Sequence, residues 1–241
     1  MSNIRVYVIC YNEENILPFF VKSYRNRFPD CAITVYDNCS TDRTKELAIK
    51  LGCDIINFST KNQMADSKHR DIKNNCWKGQ KEEWAVCVDA DEIITATVKD
   101  LNENFNVWNF YGVQMVGQGE PIEEIKFGVR DDLYSKAVLF NTFSIAEMNY
   151  SAGSHSCQPI AKESFKVCYN DKIEALLHYK WLDLESVLEK HRHYAVRQSN
   201  ENKTNRWSVH YAENEFLQRN YYDKLLKQKL QVLGLLNILC F

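Results

Sequence analysis

Residues 4–10 form a short, almost uninterrupted apolar run that reads as a first strand. From 16 to 28 the period changes. Ile16, Leu17, Phe20, Val21, Tyr24 and Phe28 recur at helical spacing until Pro29, which cannot continue a helix interior. The unit then repeats. Residues 32–36 are β-branched and aromatic, Ser40 or Thr41 is placed to cap a following helix, Asp42 falls in its first turn, and Gly52 ends it. A third strand is expected over 54–58, a polar stretch over 59–65 and a helix to about residue 78. The fourth strand, over 84–88, runs straight into Asp89-Ala90-Asp91-Glu92. Such alternation predicts an α/β fold with a mostly parallel central sheet flanked by crossover helices.

The second half patterns differently. Apolar runs at 112–117, 134–140 and 173–178 predict strands without clear crossover helices, and a long helical region starts at Asp183. Leu226, Leu230 and Leu233 fall on one helical face, followed by an apolar tail over 234–241. That tail is shorter than the ~20 residues a membrane span requires, so core packing or a partner surface is the expected use, with no membrane span.

Composition narrows the function classes. A chain of 241 residues with 45% hydrophobic positions can bury one large core. Thirty basic against thirty-two acidic side chains leave a formal charge of -2, so no global field favours nucleic acid and any anionic ligand must be met by local groups. The nine cysteines are odd in number, scattered and never spaced as CxxC. They read as reduced thiols, and with no signal-like start a cytoplasmic location is the expectation.

Ligands of open parallel sheets bind beyond the carboxyl ends of the strands. Three of the predicted strands end there in polar motifs: Cys10-Tyr11-Asn12-Glu13, Asp37-Asn38-Cys39-Ser40-Thr41-Asp42 and Asp89-Ala90-Asp91. In this order and spacing the motifs resemble those of the family 2-like glycosyltransferases of the GT-A fold. The resemblance covers roughly the first hundred residues. It implies a single GT-A-like domain over 1–241, with a nucleotide-binding half at 1–95, an acceptor and catalytic half at 96–180 and a helical region at 181–241. It also implies a nucleotide-sugar donor, with UDP the commoner family choice over GDP, a glycan or glycoprotein acceptor, and a divalent metal, Mn2+ or Mg2+. The metal suits the chemistry, because a departing diphosphate gathers negative charge and hard cations take carboxylate oxygens.

Residue by residue, the resemblance makes Asp91 the direct metal ligand and Asp89 a ribose or metal contact. Tyr11 would stack on the base and Asp37 accept a hydrogen bond from base or ribose, with Asn12 beside them. On the helix before the fourth strand, Arg70 is the expected diphosphate contact, since its planar fork donates two bonds at once. Asp66 is a candidate sugar-hydroxyl acceptor, while Lys68 and His69 read equally as donor contacts on the same helix or as its solvated face. Downstream, Ser151-Ala152-Gly153-Ser154-His155 could be the acceptor loop. No Glu-Asp pair follows it, so His155 is the first candidate base, with Asp132, Asp131 and Glu163 as alternatives. His178, in His178-Tyr179-Lys180-Trp181, would complete the metal shell, whereas His191 and His193 read as surface residues. The expected reaction is a single inverting displacement by an acceptor hydroxyl. A non-catalytic nucleotide-sugar-binding or scaffold domain is the rival reading. A sugar nucleotidyltransferase is disfavoured because Tyr11-Asn12-Glu13-Glu14 is acidic and lacks the glycines of a phosphate loop.

Overall fold

The computed structural model describes residues 3–101, 104–208, 211 and 214–231. The first half runs β1 (Ile4–Cys10), α1 (Leu17–Arg27), β2 (Ala32–Asp37), α2 (Thr44–Lys50), β3 (Asp54–Asn57), α3 (Asp66–Asn75) and β4 (Trp84–Asp89). Then follow β5 (Glu92–Ile94), β6 (Val107–Val116), β7 (Phe127–Arg130), β8 (Lys136–Asn141), β9 (Ile145–Glu147), β10 (Ile160–Ala161) and β11 (Ala175–Trp181). The chain finishes with α4 (Leu184–Arg197), α5 (Asn200–Asn205), α6 (Glu215–Gln228) and β12 (Leu230–Gln231).

β1 lies between β2 and β4, parallel to both, and β3 extends the parallel edge beyond β2. On the other side the order continues β4, β8, β6, β7, β12, with β8 antiparallel to both β4 and β6. β11 runs parallel to β6 and antiparallel to β5, which brings the strand carrying His178 beside the turn after β4. Successive strand residues point to opposite faces. Val6, Val8, Val86 and Val88 pack with Phe20, Tyr24 and Phe28 of the α1 layer, while Tyr7, Ala85 and Cys87 pack with Trp77 and Tyr150 on the other face. Burial of both faces explains why the parallel strands read as continuous apolar runs.

Three expectations are corrected. Helix α2 starts at Thr44 with Arg43 as its N-cap, not at a Ser40 or Thr41 cap. Asp42 lies ahead of the helix, where its carboxylate accepts from the Thr44 amide, because Ser40 and Thr41 are engaged by the loop after β1. Leu226 belongs to α6, but Leu230 has left the helix and pairs with Gly128 of β7, so the two share no helical face. Leu233 and the 234–241 tail lie outside the described residues. His191 is buried, not superficial: its ring packs edge-on against Trp181 and Tyr211 on the inward side of α4. Among the described residues no helix is long and apolar enough to cross a membrane.

Candidate active site

The register of the parallel strands sets the spacing of the acidic groups. Cys10 stands opposite Asp37 and Ile9 opposite Asp89, so Asp37 and Asp89 sit two strand spacings apart, about 10 Å. The loops between them are tied together. Asn12 takes a left-handed conformation, φ 55, and its amide accepts from the Thr41 backbone at 2.8 Å and donates to the Thr41 hydroxyl at 3.1 Å. The Asn12, Glu13 and Glu14 backbone amides donate to Ser40 Oγ, Thr44 Oγ1 and Asp42 Oδ2. The first motif is thus held by the second, and the Asn12 side chain serves to join the two loops. Asp37, 2% exposed, accepts from the Ser40 amide at 3.3 Å. Tyr11 donates its hydroxyl to Asn62 Oδ1 at 3.0 Å, and the Arg197 guanidinium lies 3.3 Å from its ring centroid.

Beyond β4 the acidic residues divide by partner. Asp89 Oδ1 takes Lys73 Nζ at 2.8 Å, and Asp89 Oδ2 lies 3.5 Å from Lys136 Nζ. Lys136, almost wholly buried, also bonds Glu92, whose other oxygen accepts from the Asp89 amide. Asp91 instead faces His178, Oδ2 to Nε2 at 3.5 Å. Burial alone would raise both aspartic acids. The two lysines outweigh it at Asp89 and the His178 ring, aided by Lys190 and Lys180, outweighs it at Asp91, so both carboxyls stay ionised well below the usual carboxylate range. Among the described residues no three metal-ligating side chains cluster. The pair Asp91 and His178 still fits a divalent ion that takes its other ligands from a bound phosphate and water, as ions of the magnesium type do. Asp89, with one oxygen bonded to Lys73 and the other beside Lys136, is less available as a ligand.

The remaining predicted residues separate. His155 borders the same region, its ring edge-on to Tyr134 at 5.4 Å, and Tyr134 stacks in turn on His178 at 4.8 Å. Burial and the positive charge of Lys136 hold the His155 pKa below that of a free imidazole. Asp132 is turned to solvent in an ion pair with Arg130 at 2.7 Å. Its neighbour Asp131 faces inward, accepting from Tyr221 at 3.0 Å. Asp66 is buried at the start of α3 and its carboxylate accepts from the Ser208 hydroxyl. Arg70 pairs with adjacent Asp71 at 3.3 Å and is partly exposed. His69, read equally as a donor contact or as part of a solvated face, packs edge-on to Phe58 with its Nε2 buried and unbonded, and burial depresses its pKa.

Sequence reasoning missed Lys73, Lys136, Gln114, Lys190 and Arg197. Lys190 crosses from α4 to bond Glu13 at 2.8 Å. Lys136 stood in an apolar run, where an isolated charge is a signal for a buried partner; the others carried no local signal.

Residues 5–124 match the glycosyl transferase family 2 model. The chain carries a family 2 glycosyltransferase domain. Its fold is accordingly the GT-A kind, with a sheet that is parallel through β3, β2, β1 and β4 and flanking helices. Protein RfbJ of Shigella flexneri is 34% identical to the domain over 53 residues, 22% of this chain and 41% of that protein. Among solved structures, S. aureus TarS 1-349 is 20% identical, covering 80% of this chain and 64% of that one with a TM-score of 0.46. Glucosyl-3-phosphoglycerate synthase from Mycobacterium tuberculosis, solved with Mn2+, UDP and glucosyl-3-phosphoglycerate, is 19% identical over 45% of this chain and 43% of that one, with a TM-score of 0.33. The chain therefore spans less than two thirds of the length of each.

Proposed function

We propose that this glycosyltransferase moves a sugar from a nucleoside-diphosphate donor, UDP in preference to GDP, to a hydroxyl of a glycan or glycoconjugate, with inversion and with a divalent metal, Mn2+ or Mg2+. The observation that carries the reading is the pairing of Asp91 with His178 at 3.5 Å, placed at the strand ends where the loops of Asp37 and Tyr11 converge. The gap of about 10 Å between Asp37 and Asp89 suits a nucleoside at one end and its diphosphate at the other. Residues 1–95 would hold the nucleotide, 96–180 the acceptor and base, and 181–241 cover the nucleotide side through Arg197 and Lys190.

In this arrangement Tyr11 and Asp37 bind the nucleoside, and Asp91 with His178 would hold the metal, which would offset charge on the leaving diphosphate. Lys73 and Lys136 keep Asp89 ionised and add positive charge to the floor of the site. His155 takes the acceptor proton. Its lowered pKa keeps the ring neutral at neutral pH, the form a base requires.

Thermal shift with uridine, guanosine and thymidine diphosphates, each with and without Mn2+, tests the donor site, because a ligand bound only by the folded state raises its stability. A metal-dependent rise with UDP is expected, about 2.7 kcal/mol at a hundredfold excess over Kd. No rise with any nucleotide would leave a domain that keeps the fold without the activity. The base has its own test. His155→Gln should lower the transfer rate by roughly 10²–10⁴. In the parent the rate should fall as pH drops through a value below that of a free imidazole, when the ring takes up a proton. An unchanged acid limb in His155→Gln would remove His155 from that role.

A further inference from the structure

Gln114, near the C-terminal end of β6, is wholly buried. Its Oε1 lies 2.9 Å from His178 Nδ1, and its Nε2 faces Asp131 Oδ2 at 3.5 Å. That carboxylate oxygen also accepts the hydroxyl of Tyr221, from α6, at 3.0 Å. An ionised carboxylate can only accept, so the amide NH2 must face Asp131 and the amide oxygen must face His178. The amide oxygen accepts as well, so Nδ1 must carry the hydrogen. In the neutral ring the lone pair then lies on Nε2, the atom 3.5 Å from Asp91 Oδ2. Two acceptors facing each other require a proton or a cation between them.

The fold is shaped to keep this relay in place. A Cβ at Gly112 would stand 2.5 Å from the Asp131 carbonyl oxygen and 2.6 Å from the Tyr134 backbone. Only glycine lets the 131–134 turn close onto β6, with Tyr134 flat on the His178 ring.

We infer that Gln114 is a positioning residue for metal binding: locked by Asp131 and Tyr221, it holds His178 in the Nδ1–H tautomer and aims the Nε2 lone pair at the ion site beside Asp91. The inference rests on the reading of Asp91 and His178 as metal ligands. Without Gln114 the ring would also populate the Nε2–H form, whose hydrogen bond to Asp91 competes with the ion.

Two readouts test it, nitrogen-15 NMR of His178 in metal-free protein at mildly alkaline pH and Mn2+ titration by electron paramagnetic resonance in the presence of UDP. Gln114→Met keeps the length and removes both polar atoms. It should bring in the Nε2–H tautomer and weaken Mn2+ by roughly 10–100-fold. Gln114→Glu keeps an acceptor for Nδ1–H and should retain the parent tautomer. Parent tautomer and parent affinity in Gln114→Met would overturn the inference. If that variant does not fold, Tyr221→Phe must move the tautomer ratio the same way, and an unmoved ratio overturns it equally. His178→Ala separates the two levels. Unchanged Mn2+ affinity there would sink the metal reading itself, whereas weakened affinity there with none in Gln114→Met would sink the role of Gln114 alone.

Discussion

Asp91→Ala is expected to lower glycosyl transfer by roughly 10³ or more, equivalent to several kcal/mol of transition-state stabilisation, and to abolish the metal-dependent stabilisation by nucleotide. The effect should be this large because Asp91 has no substitute. Asp89, two residues earlier, has its oxygens on Lys73 and Lys136, and Glu92 is bonded to Lys136 behind it. The fold should survive the change, since the contact Asp91 makes with β11 at Tyr179 runs through its backbone carbonyl, which alanine keeps. The carboxyl is ionised well below the usual carboxylate range, so acidification should reach His155 before it disables Asp91. Transfer assays beside a thermal melt decide the matter: a well-folded variant at the parent rate would take Asp91 out of the chemistry.

Lys136→Met should be the most destabilising single change in the site. Burial disfavours the Lys136 ammonium, but Glu92, Asp89 and Asp91 outweigh it and hold its pKa above that of a free lysine. Its contribution is therefore complete below the unfolded-state pKa and lost only as pH rises through the higher folded value. Removing it leaves Glu92, 1% exposed as a side chain, as a buried charge without its cation. Breaking a buried pair from one side costs about 3–5 kcal/mol, which for a domain of this size lowers Tm by about 6–20 °C. The double variant Lys136→Met with Glu92→Gln should recover at least half of that loss, because the uncompensated charge goes with its partner. Denaturant midpoints measure both, and a loss under about 1 kcal/mol in the single variant would show that water already reaches Glu92.

The first hundred residues were legible because their information is local. A strand buried on both faces, a helix with one apolar stripe and a polar motif at a strand end are each written within some ten consecutive positions. β1, β2 and β4 accordingly lie where the apolar runs put them. The cap of α2 was misread for a tertiary reason: Ser40 and Thr41 have hydroxyls suited to a helix end, yet Asn12, 29 residues from Thr41, takes the Thr41 hydroxyl. His191 was misread likewise. Its helical position is plain in the sequence, but which side of α4 meets Trp181 depends on how α4 docks.

The order of residues by itself determined the alternating strands and helices, the three polar strand ends and the resemblance to the family, since period and composition act along the chain. The tertiary structure alone decided which partner each carboxylate meets. Asp89 and Asp91 are equivalent in sequence, both acidic and two positions apart. Folding brings Lys73 from α3 and Lys136 from β8 to the first, and His178 from β11 to the second. Charge interactions are set by distance through space, and strand pairing, not sequence separation, fixes those distances.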